Sequence, residues 1–111
     1  MSDYHAHQEL VKTVLLYLSN HFTGHYRENA TGAVKTANGH FQRYGQKGST
    51  DIIGHTGQGR AVYVEVKTGN GKLSKEQQNF KEMVLADNCI HLVIYNEIID
   101  LHFHQFQRRV L

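Results

Sequence analysis

Proline is absent from this chain and cysteine occurs only once, at Cys89. A single cysteine excludes an internal disulfide and fits a reducing compartment. Because Cys89 adjoins the apolar run Ile90-His91-Leu92-Val93-Ile94, it reads as a small packed residue rather than a nucleophile. No apolar stretch approaches the about 18 residues of a membrane span, and no signal-like segment opens the chain. A soluble, cytoplasmic protein is therefore expected. No charge of one sign dominates either: the net charge is +2 with the nine histidines neutral, and the pI is about 8.7. That balance permits nucleic-acid binding without requiring it. The missing prolines carry no functional reading. There is also no internal repeat, no linker, and no zinc-finger or recognition-helix pattern for reading bases. With 111 residues, 40% of them hydrophobic, the chain suffices for one domain with its own core, residues 1–111.

What is present is organised as helix, strands, helix, strands. Leu10, Val14, Leu15 and Leu18 recur at helical spacing and predict a first helix over residues 4–22, stopped near Gly24. Residues 25–44 are polar and glycine-punctuated, with turn signals at Thr31-Gly32 and Asn38-Gly39. Short strands are expected near 25–28 and 40–44. Two better-defined strands follow at 51–55 and 61–68, joined through Gly54-His55-Thr56-Gly57-Gln58-Gly59. Ser74 with Gln77 has the form of a capping box opening a second helix that ends at Asp87-Asn88. Strands at 91–95 and 98–103 complete an α/β arrangement with a mixed sheet.

Chemistry concentrates between Gly48 and Lys67. Residues two apart on a strand share a face, so Glu65 and Lys67 are presented together while Val64 and Val66 turn away. The glycine-rich turn brings Asp51 back beside them. Two carboxylates and a lysine at one point of a sheet suit a hard divalent cation, Mg²⁺ or Mn²⁺, acting on a phosphodiester. Asp51 and Glu65 are the carboxylate ligands, the Val66 carbonyl can add a third oxygen, and Lys67 can polarise water or neutralise phosphate. A cross-face salt bridge on a solvated strand would account for Glu65 and Lys67 alone. The pairs His5/His7 and His102/His104 lack the partners of a structural zinc site. Arg27, Lys35, Arg43, Lys47, Arg60, Lys72 and Lys75 fall mostly in loops flanking the motif, where phosphate contacts fix register without reading bases.

The pattern Asp51 followed by Glu65-Val66-Lys67 resembles motifs II and III of the PD-(D/E)XK nuclease superfamily. Its surroundings, Lys47-Gly48-Ser49-Thr50-Asp51-Ile52-Ile53-Gly54 and Gly71-Lys72-Leu73-Ser74-Lys75-Glu76-Gln77-Gln78-Asn79-Phe80, resemble the VRR-NUC family. The similarity extends from Glu9 to about Ile94 and takes in Tyr26-Arg27-Glu28-Asn29. It implies a restriction-endonuclease-like core, with metal-dependent cleavage of DNA. It further implies that Glu9 is the motif I glutamate, a metal ligand and catalytic residue, and that Gln77 is a catalytic helix glutamine. Gln77 fits a capping box equally well, and Glu9 fits a solvent-facing first turn favoured by the helix dipole. The family often has proline where this chain has Thr50. Stand-alone relatives imply a phage-type homodimer acting on branched DNA such as Holliday junctions. A non-catalytic DNA-binding module of the same fold, or a dimerisation domain without affinity for nucleic acid, stands as the alternative.

Overall fold

The computed structural model describes residues 3–29, 32–35, 37–44 and 48–95. The first helix, α1 (Asp3–His21), is followed by β1 (Gly24–Glu28), β2 (Gly32–Lys35), β3 (Phe41–Tyr44), β4 (Ile52–Thr56) and β5 (Ala61–Lys67). Helix α2 (Lys75–Ala86) and strand β6 (Ile90–Tyr95) complete the order. Strands β1, β4, β5 and β6 form a mixed four-stranded sheet in that order, antiparallel except for the β5/β6 pair. The connection between β5 and β6 passes through α2, as a parallel pair requires. The elements expected from sequence on the described residues are present within a residue or two at their ends. Strand β2 is an addition: it pairs antiparallel with β3 as a separate two-stranded sheet. Gly32, expected in a turn, instead begins this strand opposite Tyr44. The strand expected at 98–103, which holds His102, and His104 after it lie outside the described residues.

Strand β5 divides the molecule into two layers. Val62, Val64 and Val66 are buried on one face, and their parallel neighbours Ile90, Leu92 and Ile94 continue that face onto β6. Ile52, opposite Val64, extends it onto β4. Leu10, Val11, Val14 and Leu18 of α1 cover it, forming one apolar cluster with Tyr26. Completely burying a branched aliphatic side chain contributes about 1.5–3 kcal/mol, so this layer supplies most of the fold's hydrophobic stabilisation. The opposite face carries Tyr63, Glu65 and Lys67, and α2 packs there. Phe80 meets Tyr63 edge to face, with ring centroids 5.2 Å apart.

Two glycines are dictated by close approach. A Cβ on Gly54 would overlap the His25 carbonyl and press on the Tyr26 ring, so only glycine lets β1 lie against β4 there. Gly48 adopts φ +83° and lies against the Glu76 backbone, where a side chain has no room. This contact seats the segment before Asp51 beside the start of α2.

Candidate active site

Position along paired strands decides which side chains meet. The β4/β5 register pairs Ile52 with Val64, so one further step sets Asp51 opposite Glu65. Asp51 precedes the first residue of β4, and here the two strands part. The Val66 amide, left without a β4 partner, donates instead to Asp51 Oδ2 at 2.8 Å. The Val66 carbonyl faces the same way, since both peptide groups of a strand residue point to one edge. His7 Nε2 lies 3.0 Å from that carbonyl oxygen and 3.4 Å from Asp51 Oδ2.

Three further residues hold Asp51 in place. Asn29, just past β1, donates through its side chain to Ser49 Oγ (2.7 Å) and to the Thr50 carbonyl (3.0 Å). Its backbone amide donates to the Asp51 carbonyl at 2.8 Å. Thr50 is buried and donates its hydroxyl to the Ile52 carbonyl at 2.9 Å. At the position where the resembled family often has proline, a side-chain hydrogen bond restrains the chain instead of a ring.

Glu65 occupies the floor of the site at 4% exposure. Its Oε1 accepts from Gln77 Nε2 at 3.1 Å and lies 3.9 Å from Lys67 Nζ. Its Oε2 is buried and has no hydrogen-bond donor among the described residues. Burial first, then the negative charge of Asp51 and the contact between the two carboxyls, push Glu65 up to about 8 from its ordinary 4.5; Lys67 pulls the other way. With both carboxyls ionised Oε2 has no donor, whereas a proton on Glu65 lets it donate toward Asp51. Adding a cation would satisfy the same oxygen by other means.

Gln77 links the helix cap to the charged residues. Its Oε1 accepts from Lys67 Nζ at 2.9 Å and from the Ser74 amide at 2.8 Å. Its own amide donates to Ser74 Oγ at 3.2 Å, closing the capping box. One side chain therefore caps α2, braces the Lys67 ammonium and donates to Glu65. Gln77 forms the capping box and reaches the charged pair at once, because Ser74 places the start of α2 directly over Lys67. The Lys67 stem also packs beside Gly71, whose carbonyl accepts from Tyr95 Oη at 3.0 Å.

Asp51, Glu65, Val66, Lys67 and Gln77 thus converge, but Glu9 does not join them. It is exposed on α1, about 200° around the helix from His7 at 100° per residue. The helix reaches Asp51 with His7. The reason is the stripe that docks α1: His7 lies in line with Leu10, Val11, Val14 and Leu18, and Glu9 lies off it. His7 and Asn29 are the site residues that sequence reasoning left unassigned. For His7 a signal existed, since it sits four residues before Val11 and seven before Val14.

Of the basic residues, Arg27 is exposed on β1, and Lys72 and Lys75 are exposed around the start of α2. Arg60 is engaged elsewhere: its Nε donates to the Asn88 carbonyl at 2.9 Å. Lys35 and Arg43 lie on the β2/β3 pair. Lys47 lies outside the described residues. Cys89 is partly buried and directs its thiol to the Asp87 carbonyl at 3.7 Å, a weak contact. Among the described residues no helix is long and apolar enough to cross a membrane.

Among those residues, too, no three His, Cys, Asp or Glu side chains form a ready-made metal cluster. The donor set of Asp51, Glu65 and the Val66 carbonyl is all oxygen, as Mg²⁺ and Mn²⁺ prefer. The orphaned buried oxygen of Glu65 is the second feature that fits a cation. No known protein-family model and no curated protein matches the chain.

Proposed function

We propose that this chain is a divalent-metal-dependent DNA endonuclease of the VRR-NUC type, with a restriction-endonuclease-like core and a preference for branched DNA such as Holliday junctions. One observation carries the reading. A buried carboxylate with an unsatisfied oxygen lies against a second carboxylate, and a lysine on the same strand face is braced beside them. Two acids in contact are destabilising in the absence of a counter-charge. Substrate phosphate and its metal supply a reason for that cost.

In this proposal Asp51, Glu65 and the Val66 carbonyl hold Mg²⁺ or Mn²⁺, which when bound supplies Lewis acidity toward the phosphate. Lys67, fixed by Gln77, donates from its ammonium to the scissile phosphate or orients the attacking water. Gln77 keeps the ammonium from collapsing fully onto Glu65. Asn29 and Thr50 hold the Asp51 backbone so that its carboxylate stays anchored on the Val66 amide. Arg27, Lys72 and Lys75 offer contacts to the flanking phosphates, which weaken as salt rises. A homodimer would present two such sites related by a twofold axis, matching the paired strands of a four-way junction.

The test is cleavage of plasmid, flap, fork and four-way-junction DNA with Mg²⁺ or Mn²⁺. Parent protein cuts, and Asp51→Ala and Lys67→Ala do not. Equal cutting by these variants would remove the site assignment. The outward placement of Glu9 favours a second reading, a DNA-binding module of the same fold without turnover. Metal-independent junction binding with no cleavage by the parent would select it.

A further inference from the structure

We infer that His7 is a metal ligand, completing with Asp51 and the Val66 carbonyl a mixed nitrogen–oxygen site that prefers Mn²⁺ or a similar transition ion to Mg²⁺. This rests on the metal-dependent reading above and deepens it by naming the ligand that α1 contributes and the class of ion it selects.

His7 Nε2 is 3.0 Å from the Val66 oxygen and 3.4 Å from Asp51 Oδ2. Two cis ligands at about 2.1 Å from one ion stand about 3.0 Å apart. The imidazole nitrogen is therefore spaced from both oxygens as a neighbouring ligand would be. Asp51 also lies against Glu65, which is 4% exposed and has an oxygen with no hydrogen-bond donor among the described residues. The docking of α1 through Leu10, Val11, Val14 and Leu18 holds His7 in place. At 29% side-chain exposure His7, with Asp51 at 24%, leaves the site open to water and to an ion from solvent. Imidazole is a poor ligand for Mg²⁺ and a good one for transition ions. An imidazole among these oxygens thus shifts the site away from Mg²⁺ and toward transition ions.

The experiment measures metal binding by the full chain without DNA. Titration calorimetry follows Mg²⁺ and Mn²⁺, and the free-Mn²⁺ electron paramagnetic resonance signal gives an independent measure. Parent protein is expected to bind Mn²⁺ more tightly than Mg²⁺. His7→Ala should lose at least the about 10–100-fold in Mn²⁺ affinity that removing a hydrogen-bond partner of a metal ligand costs. His7→Glu should recover binding while shifting the preference toward Mg²⁺, an outcome that a purely structural histidine does not produce. Circular dichroism establishes that each variant is folded. If His7→Ala and His7→Glu bind both ions as the parent does while Asp51→Ala does not bind, His7 is only a hydrogen-bonding strut and this inference fails alone. If the parent binds neither ion, the metal-dependent reading fails with it.

Discussion

Replacing Glu65 by glutamine tests the electrostatic account of the site without any substrate. The side chain keeps its shape and can still accept from Gln77, but its amide cannot ionise and can donate to Asp51. In the parent, burial and Asp51 push Glu65 up to about 8 from 4.5. A carboxyl whose folded value is raised stabilises the fold fully below the unfolded value, and that contribution is lost as pH rises through the folded value. The window is therefore about 4.5 to 8 for the metal-free protein. At 1.36 kcal/mol per unit, raising the pH from about 5.5 to about 8.5 costs the parent roughly 2–4 kcal/mol through this group. Glu65→Gln lacks that loss, while the other titrating groups are shared and cancel in the comparison. Urea denaturation in chelator at the two pH values reads the difference directly. The variant's margin over the parent should widen by about 2–4 kcal/mol from the acid end to the alkaline end. Adding Mn²⁺ at the alkaline pH should then stabilise the parent by about 2.7 kcal/mol at a hundred times its dissociation constant, and the variant far less. Curves that run parallel within about 0.5 kcal/mol would refute the claim that Glu65 is held protonated by its surroundings.

Three further outcomes are expected. Ser74→Ala and Gln77→Ala each cost about 1 kcal/mol of stability through the α2 cap, but only Gln77→Ala lowers junction cleavage, because it alone removes the brace on Lys67. Equal cleavage by both variants would show that the brace is idle. Lys72→Ala with Lys75→Ala should reduce the slope of log affinity for DNA against log salt by about 1–2, whereas Arg60→Ala should leave it unchanged, since Asn88 already engages that side chain; filter binding across a salt series compares them. Gly54→Ala should separate β1 from β4 and cost more than about 2 kcal/mol, because overlap with the His25 backbone cannot be relieved by a rotamer change. A melting temperature unchanged from the parent would contradict that packing.

Much of this protein follows from local rules that act on a few residues at a time. The two-residue period of a strand determined that Glu65 and Lys67 share a face and that Val62, Val64 and Val66 form the other. A short glycine-rich turn brought Asp51 opposite Glu65, since antiparallel register follows from the loop that joins the strands. The cap at Ser74 and Gln77 needed only three intervening peptide units. The tertiary structure alone decided what depends on how elements are rotated and docked. Whether α1 offers Glu9 or His7 to the site depends on which of its faces the sheet buries, and two residues along a helix point nearly opposite ways. That Gln77 serves the cap and Lys67 together depends on where α2 returns over β5. The elevated proton affinity of Glu65 likewise belongs to no single residue: it arises from burial between sheet and helix and from a second carboxylate fourteen positions earlier in the chain, brought into contact by folding.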